Sequence, residues 1–358
     1  LRHRPIGCAR KNRLRGAGSG TEQQLRPSEL IQASSRQSWT FSPPWDNGGV
    51  GGDDMERRVP TKEEVLAYLK KDRNWGRWGD DDQKGAVNMV TAEKRAAAAR
   101  LVRSGRAVSL SRVFPKTPAP NNLWPAQHYM MRRVRGEAIG ACADYYGIAY
   151  HGQASTHLDA LCHTWDGNGM WNGRNPDDVI TFDGATWGSV EHWQEGIITR
   201  GVFLDVPKHR GVPFVTMEEP IHGWELEDIA RAEGIAIEPG DAVVVYGGRE
   251  NWDKVNPLWG SNVDVRPGLH ASCLKFIRES DCSLLVWDMM DFLPNGYGIP
   301  WTVHGAIFAY GIALLDNALL QPLAEACAEE GRYEFMLVVA PLRVVGGTGS
   351  PVNPIALF

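Results

Sequence analysis

The chain has 358 residues, of which 43% are hydrophobic and 23% charged, enough apolar material for one large core or two modest ones. Its formal charge of -5 and its pI near 6.1 leave no basic footprint for neutralising phosphates, which excludes nucleic acid as the expected partner and favours a small molecule. The longest apolar stretch, Ala306 to Leu315, is about half of the roughly 20 residues that a membrane-spanning helix needs, so a cytoplasmic location and no membrane contact are expected.

In chain order, residues 1–54 are rich in Arg, Ser and Gly, lack helical or strand periodicity, and end in a Gly/Asp run from Asn47 to Asp54. They are expected to be a disordered or non-native leader segment, or a transit peptide, outside a single domain spanning 55–358. Met55 is the first methionine, and Thr61-Lys-Glu-Glu64 follows with capping-box spacing ahead of Val65, Leu66 and Leu69, which predicts a helix. A second helix is predicted from Thr91 through the alanine-rich stretch to Val102, stopping near Gly105. Trp75 to Asn88, between them, reads as a loop by its Gly and Asp content.

Farther on, Gly201–Asp205, Ala242–Tyr246, Ser283–Trp287 and Phe335–Val339 are short β-branched or aromatic runs bounded by Gly, Pro or Asp, the pattern of buried strands. Helical patterns separate them at Trp224–Glu233, Ala271–Arg278 and Leu320–Glu330, closed in two cases by Gly234 and Gly331. Strands alternating with helices predict an α/β domain. Six cysteines without a CxxC pair indicate neither a thiolate zinc site nor a disulfide framework, and buried reduced thiols are expected. No phosphate-cradling glycine loop is present.

Three of the ten histidines fall within Tyr150-His-Gly-Gln-Ala-Ser-Thr-His-Leu-Asp-Ala-Leu-Cys-His163. On an extended segment, His157 and Asp159 point to the same face, as two ligands of one ion must. Imidazole and carboxylate together suit zinc or manganese, and such an ion brings the pKa of a bound water towards ~7. The opposing reading, of core histidines satisfied by hydrogen bonds beside a capping aspartate, accounts less well for this density.

The stretch Thr156-His-Leu-Asp-Ala-Leu-Cys-His163 resembles the T-H-x-D-A-x-x-H core of the cyclase-like metal-dependent hydrolases, which include kynurenine formamidase and isatin hydrolase. Trp78-Gly-Asp-Asp-Asp-Gln-Lys-Gly-Ala-Val-Asn88 is similar to that family's N-terminal W-G-x-x-D-x-x-G-A-x-N segment. Pro341-Leu-Arg-Val-Val-Gly-Gly-Thr-Gly-Ser-Pro-Val-Asn-Pro354 is similar to its C-terminal P-L-R-x-x-G-x-T-G-S-P-x-x-P. The resemblance implies an α/β fold of the swivelling β/β/α type, assembled as a homodimer or homotetramer. It also implies that His304 and Asp316, twelve positions apart, belong to the site, with Asp316 where glutamate is usual.

One departure is Gln153, at the position where the formamidases and isatin hydrolase carry a metal-binding histidine. A glutamine carbonyl is a weaker, neutral ligand, and His151 has the same side-chain parity on an extended chain. The expected metal set is therefore Gln153 or His151 with His157, Asp159, His163, His304 and Asp316, around Zn2+ or Mn2+. The expected reaction is hydrolysis of an amide or ester, a cyclic or aryl amide, lactam or lactone, by metal-activated water. His163 would move the proton, and His304 and Asp316 would hold a second metal or orient the substrate. A metal-dependent cyclase or lyase, and a metal-free binding protein of the same fold, are the alternatives. Trp124, Trp165 and Trp171 are candidates for an aromatic pocket wall, and Arg174, Arg249 and Arg343 for pairing a substrate carboxylate.

Overall fold

The computed structural model describes residues 57–135, 139–256 and 265–358. The expected leader at 1–54 lies outside the described residues. Thr61 caps α1 (Lys62–Lys70) with the reciprocal capping box predicted from Glu64, and Thr91 caps α2 (Ala92–Ala99). The second helix ends earlier than expected, because the chain unwinds into turns after Ala99 before Gly105 takes a left-handed conformation.

The strands follow in chain order as β1 (Ala107–Ser109), β2 (Gln127–Arg135), β3 (Ile139–Gly147), β4 (His157–Asp159), β5 (Ile180–Thr181), β6 (Gly184–Ala185) and β7 (Ile197–Asp205). The remainder are β8 (Ala242–Tyr246), β9 (Leu284–Trp287), β10 (Ala313–Asp316), β11 (Glu334–Val339), β12 (Gly349–Pro351) and β13 (Ile355–Leu357). Nine of them form one sheet in the order β1-β13-β11-β7-β8-β9-β10-β4-β12, while β2/β3 and β5/β6 are separate hairpins. The centre of the sheet, β7 to β10, is parallel, and both flanks are antiparallel.

This arrangement follows from the apolar runs. Every residue of β8, β9 and β10 is buried, as expected for parallel strands covered on both faces, so the pattern is continuous rather than alternating. The crossovers carry α3 (Pro176–Val179), α4 (Val206–Arg210), α5 (Gly223–Ala232), α6 (Arg249–Val255), α7 (Cys273–Ser280), α8 (Ala306–Tyr310) and α9 (Gln321–Glu330). Of these, α5 packs on α7, while α2 lies against β7 and β11.

The N-terminal motif proves to be a packing device. The Asp82 carboxylate accepts from Gly85 N at 2.7 Å and Asn88 Nδ2 at 2.6 Å, and the Asp82 carbonyl accepts from the indole of Trp171 at 3.0 Å. Gly85, at φ 58°, lies so close to Gly311 that a Cβ would stand 2.2 Å from the Gly311 carbonyl oxygen. Trp171 is fully buried in this junction, not in a pocket wall, because its NH needs the Asp82 carbonyl. Four of the five cysteines among the described residues are buried and reduced as expected, but Cys142 on β3 is exposed.

Candidate metal centre

The antiparallel register of β4 with β10 sets Asp316 opposite His157, at the carboxyl end of β10 where parallel sheets present their ligand-binding groups. Alternation along β4 turns Asp159 to the same side, as the sequence reading required. On its other edge β4 pairs with β12, where a Cβ at Gly349 would stand 2.3 Å from the Leu158 carbonyl oxygen. That contact explains the glycine of the C-terminal motif.

Asp159 is the hub. It is fully buried, and neither carboxylate oxygen has a hydrogen-bond donor. Around Oδ1 lie His151 Nδ1 at 2.9 Å, without hydrogen-bond alignment, and His157 Nε2 at 3.4 Å. Around Oδ2 lie His163 Nε2 at 3.7 Å and His304 Nε2 at 3.9 Å. Asp316 Oδ2 is 3.2 Å from His304 Nε2 and 3.9 Å from His157 Nε2. All four histidines and both carboxylates therefore meet, and five of these six residues form two overlapping ligand groups, His151/His157/Asp159 and Asp159/His304/Asp316, with ligand atoms within 4.8 Å of one another in each; His163, expected as a further ligand, stands beside Asp159 outside both groups.

A buried carboxylate with no donor costs several kcal/mol unless a cation compensates it. The donor set fits a divalent ion by that test, and His151 and Gln153, whose Nδ1 and Oε1 also have no hydrogen-bond partner, line the same cavity. Gln153 and His151 both stay in the candidate set.

Residues that sequence reasoning missed orient these ligands. His157 Nδ1 donates to the Ser155 carbonyl at 2.9 Å, which fixes the tautomer with Nε2 free. His151 Nε2 meets Thr348 Oγ1 at 2.9 Å, leaving Nδ1 for the centre. His304 Nδ1 donates to Asp291, whose other oxygen accepts from Thr302 Oγ1, Val303 N and His304 N. The indole of Trp287 donates to Asp316 Oδ1 and leaves Oδ2 facing inward. This carboxylate–histidine arrangement is the usual outer support of a metal ligand. Asp291 follows a parallel strand end by four residues, and that position was its one sequence signal.

Asn317 ties the halves together. Its amide donates to the carbonyls of Gly152 at 2.7 Å and Ser155 at 3.1 Å, and its Oδ1 accepts from Arg249 Nη1 at 2.6 Å. Arg249, fully buried, also reaches the Gln153 carbonyl with Nη2. It thus braces the ligand loop instead of meeting a substrate carboxylate. Arg174 is likewise occupied by Asp81 and the face of Trp187, and Arg343 is exposed beside Glu191 and Glu195, away from the site.

Burial and charge set the proton inventory. Burial disfavours a charged imidazole at His304, but the Asp291 and Asp316 carboxylates outweigh it and raise its pKa well above the ordinary value. At His163 burial dominates, against the pull of Asp159, and brings the pKa down to about 4. Burial pushes the Cys162 thiol up to about 12, so no thiolate nucleophile is available there.

The centre opens into a cavity of about 400 Å³ walled by Leu123, Trp124, Tyr150, Met290 and Trp301. Trp124 takes the wall position expected of it, whereas Trp165 is half-exposed and does not line the cavity.

A solved structure described as a novel cyclase is 29% identical and matches 80% of this chain and 99% of its own length with a TM-score of 0.69. Isatin hydrolase A from Labrenzia aggregata, solved with benzyl benzoate, is 18% identical over 76% of this chain and 98% of its own, with a TM-score of 0.48. An isatin hydrolase bound to the product analogue thioisatinate gives 18%, 75%, 99% and 0.48. No curated protein matches the chain. The family model described as putative cyclase matches residues 87–292, more than half of the 358, and that span includes His157, Asp159, His163 and Asp291. On that match the chain belongs to the cyclase family of α/β proteins.

Proposed function

We propose that the protein is a metal-dependent hydrolase that opens an amide or ester, with cyclic or aryl amides, lactams and lactones as the substrate class. The observation that carries this reading is Asp159, a buried carboxylate with both oxygens unpartnered at the meeting point of four imidazoles. Bound there, Zn2+ or Mn2+ would supply a Lewis acid for a carbonyl oxygen and a lowered pKa for water.

The chain's own residues supply the rest. His151 or Gln153, His157 and Asp159 would hold the cation, and His304 and Asp316 would either hold a second one or orient the scissile group. His163, stacked on His151 with ring centroids 3.9 Å apart, would take the proton of the attacking water and pass it to the leaving nitrogen or oxygen; burial, which brings its pKa down to about 4, keeps its lone pair free and makes it hand the proton on instead of retaining it. Leu123, Trp124 and Trp301 offer flat apolar surface to a ring.

The test is metal analysis of the desalted protein and of His157→Ala, followed by a screen of cyclic amides and lactones in 18O-labelled water. Metal present in the wild type and lost in the variant, with one label atom per product, is the expected result. Metal-free wild-type protein that gains none from added salts sinks the reading, and product without label replaces hydrolysis by the cyclase or lyase reaction.

A further inference from the structure

Four residues other than glycine hold a positive φ among the described residues: Asn172, Asp281, Met290 and Asn317. That region crowds a Cβ, and Asn and Asp enter it most readily because their short polar side chains find hydrogen-bond partners close by. Three of the four fit that account. Asn172 Nδ2 donates to the Gly79 carbonyl at 3.1 Å, Asp281 pairs with Arg77, and Asn317 clamps the loop that enters β4. Met290, at φ 57°, has no polar group to offset the strain.

Its backbone is held there by its neighbours. The Met290 carbonyl accepts from Leu269 N at 2.8 Å, the Leu269 carbonyl from Phe292 N at 2.9 Å, and the Asp291 carbonyl from Arg266 Nε at 2.9 Å. Just upstream, the Asp288 carboxylate is fixed by the amides of Gly247, Gly248 and Arg249. Strain kept up by such contacts clusters at active sites and ligand clamps. An extended chain would send the side chains of 290 and 291 to opposite faces. With Met290 left-handed, Asp291 reaches His304 while Met290, 3% exposed, still lines the cavity of the same centre.

The side chain delivered in this way differs chemically from the rest of the wall. A thioether is polarisable and attracts an aromatic ring from about 5 Å, an interaction that a saturated ring of equal size lacks. Trp301, whose ring centroid is 5.5 Å from that of His304, stands at the same cavity and adds a flat face. Unbranched at Cβ, methionine also tolerates the left-handed backbone better than Val or Ile would. We propose that Met290 is the specificity-determining residue of the cavity, holding its sulfur against a planar aromatic ring of the substrate, so that aryl substrates are selected over saturated cyclic ones. This deepens the hydrolase reading and rests on it for taking the cavity as the substrate's.

The experiment is NMR of the full chain, as purified and labelled with [methyl-13C]methionine, titrated with benzamide or with cyclohexanecarboxamide. The two probes share the amide and the ring size and differ in aromaticity; amides this small bind at about 1 mM. Met290→Leu keeps the bulk and removes the sulfur, and Met290→Gly takes the positive φ without strain. The signal missing from both identifies Met290 among the nine methionines, and circular dichroism checks the fold of each. Expected are a ring-current shift of the Met290 methyl that benzamide produces and cyclohexanecarboxamide does not, and a preference for benzamide that falls by about 2- to 12-fold in both variants, the range of a sulfur–aromatic contact. A Met290 methyl that benzamide leaves unmoved, a preference that either variant retains in full, or no binding of either amide overturns the assignment. Metal analysis of the same samples keeps the two readings apart. Metal-loaded protein with an unmoved methyl fails Met290 alone, and metal-free protein that shows the shift fails the hydrolase reading alone.

Discussion

Asp291→Asn isolates the outer support of the centre. In the native chain one carboxylate oxygen takes the Nδ1 proton of His304, and the other accepts from Thr302 Oγ1 at 2.6 Å, Val303 N at 2.6 Å and His304 N at 3.2 Å. In the variant the amide oxygen keeps those three donors, so its NH2 must face His304 Nδ1. The imidazole then accepts at Nδ1 and carries its proton on Nε2, aimed at Asp159 and Asp316 instead of offering them a lone pair for a shared ion. Loss of such outer support costs about 10- to 100-fold in metal affinity, or about 1.4 to 2.7 kcal/mol. Calorimetric titration of metal-stripped protein with zinc or manganese reads it directly. Because His304 is raised in the metal-free chain, binding near neutral pH also releases a proton, and the buffer-dependent part of the heat should shrink in the variant. If Asp291→Asn binds every equivalent as tightly as wild type, with the same proton release, the assignment of His304 as a ligand oriented by Asp291 is wrong.

Three further outcomes follow from contacts elsewhere. His270 is 6% exposed, its Nδ1 accepts from Ser272 N, and its Nε2 meets the hydroxyl of Tyr297; burial first, and His222 second, bring its pKa down to about 4. Since the unfolded side chain takes its proton near ~6.5, stability is lost as pH falls from there to about 4, by roughly 2 to 4 kcal/mol, and a denaturation series should show a shallower acid slope in His270→Asn. An unchanged slope refutes it. Gly85→Ala sets a Cβ against the Gly311 carbonyl, where no rotamer change relieves the clash, and should cost at least about 3 kcal/mol in urea unfolding. Asn317→Gly keeps the backbone conformation at φ 55° but strips the bonds to Gly152, Ser155 and Arg249. It should destabilise the chain by about 3 kcal/mol and weaken metal binding together; unimpaired affinity would show the clamp to be purely structural.

What the sequence revealed of the centre was what lies close in the chain. His157, Asp159 and His163 were legible because a period of two and a run of histidines need only a dozen residues to register. His304 and Asp316 became candidates through the family resemblance alone, since their approach to Asp159 spans more than a hundred residues. Asp291, Trp287, Asn317 and Thr348 carried no comparable signal, because their roles are contacts between distant strand ends. The caps at Thr61 and Thr91 and the buried runs of β7, β8, β9 and β11 were readable from local chemistry, while β4 and β12, of three residues each, are too short to announce themselves and β10 is hidden in the apolar run that α8 begins. The exposed hairpin escaped for the opposite reason: Met, Tyr and Arg interleave on both faces of β2, so no single-sided alternation marks it as a strand.

The position of the centre follows from where the sheet changes direction. Asp316 ends β10, a parallel strand, and a further parallel neighbour would bring only its own last residues to that rim. Because β4 runs antiparallel, its first residue, His157, meets the last of β10, and the loop 151–156 that enters β4 lies at the same rim. Two ligand groups from opposite chain directions thereby share Asp159, and Asn317, the residue after Asp316, can hold the carbonyls of that incoming loop. The same geometry puts Asp291, a few residues past the end of β9, within reach of His304. A centre assembled this way depends on the β4–β10 register: a slip of one residue would turn His157 and Asp159 to the opposite face together, away from Asp316.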